Sequence, residues 1–306
     1  MKSRNFISMA DLSAVETNDL IKFAIKNKKE KKQPAVLAGK NLALLFEKPS
    51  LRTRVSFEVA INQLGGNCIY LSPDEVGLGK REPVEDVASV LGRFVDCIIA
   101  RTFAHSSVVT LADQSGVPVI NALDDEEHPC QALADILTIF EKKGKFKGIK
   151  LAYVGDGNNV ANSLLIACAQ AGIEVCLASP IGYEVNDEYL RIADDFSKTS
   201  GSMITLTEKP ADAVAGADVI YTDVWTSMGQ EKESEQRRII FKDYQVNEAL
   251  IGMAKKDVIF MHPLPAHPGE ETVKGILRHP ASVVFDQAEN RLHAQRALLI
   301  ELLGKK

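Results

Sequence analysis

The stretch KLAYVGDGNNVANSLLIACAQAGIEVCLA, residues 150–178, reads as a strand, a glycine-punctuated turn, a helix and a second strand. Lys150–Val154 and Glu174–Ala178 are short apolar runs rich in β-formers, and Gly155-Asp-Gly-Asn-Asn159 opens the helical pattern between them. Two strands joined by a crossover helix are the unit of a parallel sheet covered on both faces. The alternation continues outward in both directions. Leu42–Phe46, Cys68–Leu71, Cys97–Ala100 and Pro118–Asn121 are the expected strands before it, and Met203–Leu206, Val219–Thr222, Val258–Met261 and Val283–Phe285 those after it. Between strands, spacings such as Val84, Val87, Val90, Leu91 and Phe94 paint one helical face apolar, with Pro83 suited to the helix start.

This pattern predicts an α/β fold of two doubly wound parallel-sheet lobes with an interlobe cleft. The charged segment Glu141-Lys-Lys-Gly-Lys-Phe-Lys-Gly148 interrupts the alternation, so the domains expected are 1–147 and 148–286. A helix over Gln131–Glu141 would join them. The terminal segment 287–306, with a helix over Asn290–Leu303, is expected to pack back on the first lobe.

The chain has 306 residues, 45% of them apolar and 25% charged, the ordinary globular mixture. Lys and Arg number 36 against 41 for Asp and Glu, a formal charge of −5. That balance argues against nucleic acid or an anionic membrane as partner, so any anion must meet a local basic site. Cys68, Cys97, Cys130, Cys168 and Cys176 are an odd number with no zinc-like spacing, and read as reduced thiols of a cytoplasmic protein. Met1–Leu20 carries three acidic residues and no signal-length apolar run, and no stretch has the ~18 apolar residues of a membrane span.

In open α/β sheets, ligands bind beyond the carboxyl ends of the strands. Five such ends carry unusual polar residues. Pro49-Ser-Leu-Arg-Thr-Arg54 runs into a helix, whose amino terminus offers unpaired amides to an anion. A phosphate cradle there is balanced by the simpler reading that Ser50 caps the helix while Arg52 and Arg54 are solvated. Arg101 follows the Cys97 strand. His128 and Gln131 stand three apart at a helix start, on one face. Gly155-Asp-Gly-Asn-Asn159 lacks the third glycine of a dinucleotide fingerprint, and Ala178 and Ser179 stand where a ribose-binding acid would be wanted. Asp223-Val-Trp-Thr-Ser-Met-Gly229 places a carboxylate where it can face an ammonium or simply cap a loop. His262-Pro-Leu-Pro265 is a rigid turn that raises the chance of a cis X-Pro bond. His262 and His267 are poorly spaced for a shared ion, so neither metal nor cofactor is expected.

In sequence order, Phe46-Glu-Lys-Pro-Ser-Leu-Arg-Thr-Arg-Val-Ser-Phe-Glu58, His128-Pro-Cys-Gln-Ala-Leu-Ala-Asp135, Gly155-Asp-Gly-Asn-Asn159, Asp223-Val-Trp-Thr-Ser-Met-Gly229 and Asp286-Gln-Ala-Glu-Asn-Arg291 resemble the aspartate and ornithine carbamoyltransferase family, more closely its ornithine branch. The resemblance covers most of the chain. It implies carbamoyl transfer from carbamoyl phosphate to the δ-amine of L-ornithine, giving L-citrulline and phosphate within arginine metabolism. It implies that Ser50, Leu51, Arg52, Thr53, Arg101, His128, Gln131 and Arg291 bind carbamoyl phosphate, with Arg101, His128 and Thr53 catalytic. Asn159, Asp223, Ser227, Met228, Pro263 and Leu264 are implied to hold ornithine, with a cis Pro265 after Leu264. The family assembles as trimers or their multiples, so a homotrimer is expected, and Lys80 lies in a segment resembling one that reaches a neighbour's site.

Two positions depart from the ornithine branch. Pro263 occupies the place of its usual cysteine, as in aspartate enzymes, and Leu51 replaces a small hydroxyl residue. The alternatives are therefore an aspartate carbamoyltransferase and a catalytically silent α/β module. Ala266, where an aspartate enzyme carries an arginine, opposes the first, and the converging cations oppose the second.

Overall fold

The computed structural model describes residues 5–304, which fall into two compact units. One comprises the described residues up to Leu137 together with those from Glu289 onward; the other is Thr138–Ala288.

In chain order, the first unit contains helix α1 (Ala14–Lys28), strand β1 (Asn41–Phe46), α2 (Leu51–Gln63), β2 (Asn67–Leu71), α3 (Pro73–Val76), α4 (Val84–Leu91), β3 (Cys97–Arg101), α5 (His105–Gln114) and β4 (Val119–Leu123). Its sheet is parallel throughout, in the order β2-β1-β3-β4. β1 and β3 are central, and from Leu42 to Phe46 and Cys97 to Arg101 every residue is buried. That explains why these strands read as unbroken apolar runs, each fully buried Leu or Ile contributing about 1.5–3 kcal/mol. α6 (Pro129–Lys143) leaves this unit after Leu137.

The second unit contains β5 (Lys150–Val154), α7 (Asn159–Ala171), β6 (Glu174–Ala178), α8 (Asp187–Ser200), β7 (Ile204–Thr207), α9 (Pro210–Val214), β8 (Val219–Tyr221), α10 (Ser234–Ile240), α11 (Glu248–Met253) and β9 (Ile259–Met261). Its five parallel strands lie in the order β7-β6-β5-β8-β9. α7 is buried from Val160 to Gln170, as its small and apolar side chains require. α12 (Val284–Leu303) passes from this unit to the first at Glu289. Its carboxy-terminal part is held on the first unit by Arg296 Nε to Asn27 Oδ1 at 2.7 Å and by Lys28 Nζ to Asn290 Oδ1 at 2.9 Å.

One expected strand is absent: Val283–Phe285 leads into α12, which begins six residues before the expected Asn290. A three-residue apolar run does not distinguish a strand from the buried start of a helix. The face continues helically, with Val284, Gln287 and Arg291 all buried. Among the described residues, no helix is long and apolar enough to cross a membrane.

Candidate active site

Both sheets reverse their winding beside their first strand. The chain runs β1 to β2 on one side and then crosses to β3 and β4; likewise β5, β6 and β7 are followed by β8 and β9 on the other side. A crevice opens where neighbouring connections diverge, so the carboxyl ends of β1 and β3, and of β5 and β8, are where each unit can hold a ligand. The candidate residues gather at these ends.

In the first unit, Ser50 caps α2, its hydroxyl accepting from the Thr53 amide at 3.3 Å. The capping role and an anion cradle coexist, because the first-turn amides of Leu51 and Arg52 have no acceptor within the helix. The Leu51 side chain is exposed, leaving its backbone as the part suited to a ligand. Arg101 ends β3, buried, with its Nε donating to the Lys48 carbonyl at 3.2 Å. Arg291, from α12, donates through Nη1 to Gln131 Oε1 at 2.7 Å and through Nη2 to Thr53 Oγ1 at 3.1 Å. Gln131 in turn donates from Nε2 to Asp135 at 2.8 Å, which fixes its carbonyl oxygen towards Arg291.

The electrostatics of this cluster are one-sided. Burial, then the nearby Arg291 and Arg52 cations, pull the Arg101 pKa down to about 9. Burial lowers that of Arg52 as well. The His128 pKa is lowered well below its ordinary value, first by burial and then by Arg291, Arg101, Arg52 and Lys48. Among the described residues, neither Arg52 nor Arg101 has a carboxylate partner. Desolvated like charges of this kind are costly unless an anion completes them.

In the second unit, Asn158 caps α7, its Oδ1 accepting from the Val160 and Ala161 amides at 3.0 and 3.1 Å. The same side chain donates through Nδ2 to Asp223 Oδ2 at 2.8 Å. Asn158 is therefore spent on structure, and Asn159 follows as the first residue of α7. Gly157 is required by close packing: a Cβ there would lie 2.2 Å from the Glu184 carbonyl carbon. Asp223, just beyond β8, is buried; burial raises its pKa, the hydrogen bonds from the Asn158 amide and the Val224 backbone oppose the rise, and Glu271 adds to it.

The turn after β9 contains the expected cis bond, Leu264–Pro265, with Leu264 at φ +58°. His262 Nδ1 accepts from the Leu264 amide at 2.9 Å, so Nε2 carries the proton and faces Glu271 Oε1 at 3.2 Å. The buried Glu271 carboxylate also accepts from the His267 amide, tying both ends of the turn together. Pro263 and Leu264 sit in this turn. Ser227 and Met228 lie in the loop after β8, with Met228 exposed and the Ser227 amide donating to Gln230 Oε1 at 3.1 Å. Lys80 is exposed.

Several site-shaping residues escaped the sequence reading. Lys48 is buried, pairs with Asp125 and sits 4.5 Å from the Phe103 ring centre; its place directly after β1 was the available signal. Arg237 bonds Asp156 Oδ2 at 2.9 Å and the Trp225 carbonyl at 2.8 Å, in a charged run that reads as solvated surface.

Residues 4–141 match the family described as aspartate/ornithine carbamoyltransferase, carbamoyl-P binding domain, and residues 147–302 match that described as aspartate/ornithine carbamoyltransferase, Asp/Orn binding domain. An ornithine carbamoyltransferase of Bacillus subtilis is 52% identical over 302 residues, covering 99% of this chain and 94% of that protein. One from Anoxybacillus flavithermus is 50% identical over 307 residues, covering 99% and 98%. The solved structure of ornithine carbamoyltransferase from Pyrococcus furiosus superposes with a TM-score of 0.95 at 50% identity, covering 99% of this chain and 98% of that one.

Proposed function

The chain belongs to the aspartate/ornithine carbamoyltransferase family, and from that premise we propose that it transfers the carbamoyl group of carbamoyl phosphate to the δ-amine of L-ornithine, releasing L-citrulline and phosphate. The observation that carries the choice of acceptor is Asp223, a buried carboxylate with the Asn158 amide as its hydrogen-bond donor and Glu271 adding negative charge nearby. An ammonium completes that site. The second carboxylate of aspartate would meet like charge there, with Ala266 offering no cation.

Carbamoyl phosphate binds at the amino terminus of α2. Ser50, Leu51, Arg52 and Thr53 hold the phosphate with Arg101, and His128, Gln131 and Arg291 hold the carbamoyl group. Thr53, Arg101 and His128 donate to the carbamoyl oxygen as charge develops on it, an effect typically worth about 3 kcal/mol per donor. For His128 to donate while neutral, the nitrogen facing the substrate must carry its one proton.

Ornithine binds the second unit: Asp223 takes its α-ammonium, Asn159, Ser227 and Met228 complete the grip on its α-groups, and Pro263 and Leu264 line the approach of the side chain. The δ-amine is lysine-like, with an ordinary pKa of about 10.4, so presenting it neutral at pH 7 costs roughly 4–5 kcal/mol, a cost that desolvation reduces. These motifs hold no evident general base, and the departing phosphate accepts the proton that the amine loses on attack. The nitrogen lone pair forms the new C–N bond as the C–O bond to phosphate breaks.

The chain assembles as a homotrimer or a multiple of one. Leu51, Val55 and Val59 form an exposed apolar stripe on α2, and such a stripe supports subunit contact. All five cysteines are free thiols, which supports a reducing, cytoplasmic setting. The test is incubation of the purified protein with carbamoyl phosphate and either ornithine or aspartate. Citrulline from ornithine is expected; carbamoyl aspartate alone would transfer the assignment to the aspartate branch.

A further inference from the structure

Two bridges join the turn after β5 to the loop after β8. The nearer is Asn158 Nδ2 to Asp223 Oδ2, 2.8 Å. The farther runs through Arg237, whose Nη1 donates to Asp156 Oδ2 at 2.9 Å and to the Trp225 carbonyl at 2.8 Å. Together they bracket Val224. Arg237 lies on α10, is buried, donates from Nε to Glu233 at 3.1 Å, and has its guanidinium 4.9 Å from the Tyr183 ring centre.

We infer that Arg237 and Asp156 are positioning residues for the amino-acid acceptor: by holding the Trp225 carbonyl against the turn after β5, they aim the following segment so that Ser227 and Met228 meet the acceptor's α-groups. The inference rests on the ornithine subsite proposed above. Beyond Trp225 the chain has little else to hold it. Among the described residues, the polar contacts of 226–233 run within the segment itself, as in Ser227 to Gln230 and Gly229 to Glu231, or to Ser234 and Arg237 just beyond it. The Trp225 ring stacks on Phe241 at 5.9 Å, anchoring the side chain but leaving the onward direction of the backbone to the Arg237 bond.

The chemistry explains why arginine stands there. Nη1 reaches the Asp156 carboxylate and the Trp225 carbonyl while Nε of the same plane reaches Glu233, three bonds in fixed directions that a single lysine ammonium on a flexible stem does not reproduce. The receiving turn is rigid: Gly157 donates to the Tyr183 carbonyl at 2.8 Å, and packing there admits no Cβ. Arg237 therefore transmits the position of a rigid strand end to a loop that lacks supports of its own.

Trp225 is the single tryptophan of the chain, so its fluorescence reports the anchored loop directly. The full-length parent, Arg237→Lys and Asp156→Asn are compared by acrylamide quenching, far-UV circular dichroism, ornithine kinetics and carbamoyl-phosphate binding. In both variants, quenching is expected to increase and KM for ornithine to rise about tenfold or more, because small misplacements of a binding loop are amplified in this way. The kcat, the carbamoyl-phosphate dissociation constant and the circular dichroism should change little, and Asp156→Asn should show the smaller effect. An unchanged KM beside increased quenching would reduce Arg237 to a structural staple, and equal losses for both substrates would likewise overturn the inference. Should the parent form no citrulline, carbamoyl transfer itself fails; the clamp is then judged on Trp225, where equal quenching in parent and variants refutes it.

Discussion

The guanidinium of Arg291 donates to the side-chain oxygen of Gln131 at 2.7 Å across 160 residues of chain. The bond brings the terminal helix α12 to the start of α6 within the first unit, and the other arm of the same guanidinium reaches Thr53. Substituting Arg291→Gln removes a charge-assisted donor from two buried acceptors, each such bond being worth about 1.5–3 kcal/mol. Carbamoyl-phosphate affinity, measured by calorimetry, is expected to fall about 10- to 100-fold while ornithine binding is spared. Unchanged affinity would mean that Arg291 only braces the helix.

Burial first, and then the Arg291 and Arg52 cations, lower the Arg101 pKa, so the cluster carries desolvated charge that an anion would offset. Inorganic phosphate should therefore raise the melting temperature, by about 2.7 kcal/mol of stabilisation at a hundred times its dissociation constant. Arg52→Ala should abolish most of that shift without lowering the melting temperature of the ligand-free protein. A phosphate shift retained in Arg52→Ala would move the anion site elsewhere.

His128 carries a stability signature of opposite sense to an ion-paired histidine. Its folded pKa lies well below the ordinary value, so the unfolded chain binds a proton below about pH 6.5 and the folded chain does not. Stability is thus lost as the pH falls through the ordinary histidine range. Chemical denaturation at pH 7.5 and 5.5 should show a smaller acid loss in His128→Gln than in the parent. Equal losses would place His128 in a solvated setting.

Asp223→Asn keeps the hydrogen bond from Asn158 within reach but removes the charge assigned to the α-ammonium. KM for ornithine should rise at least about tenfold, the equivalent of 1.4 kcal/mol, with the carbamoyl-phosphate dissociation constant little changed. Equal damage to both substrates would contradict the division of labour between the two units.

Much of this architecture was legible because central parallel strands announce themselves. Lys150–Val154 and Glu174–Ala178 are found residue for residue, each an apolar run bounded by glycine or polar turns. Val283–Phe285 deceived because three apolar residues fit a strand and a helix start equally, and the deciding partners, Gln287 and Arg291, are polar side chains that turn out buried. The site candidates surfaced through their positions at strand ends. Arg237 did not, since its burial depends on a tertiary partner 81 residues away and its neighbours Glu231, Lys232, Glu233 and Arg238 are charged. Lys48 was passed over for a similar reason, because nothing local reveals that Phe103 and Asp125 enclose its ammonium.

The central claim, a carbamoyl group handed to ornithine without a thiol at position 263, is tested most directly by following ¹³C-labelled carbamoyl phosphate by NMR with ornithine and aspartate present together at equal concentration. The label is predicted to appear in the ureido carbon of citrulline as phosphate is released, with none in carbamoyl aspartate. Label accumulating in carbamoyl aspartate, or remaining in carbamoyl phosphate beyond its spontaneous breakdown, would contradict it.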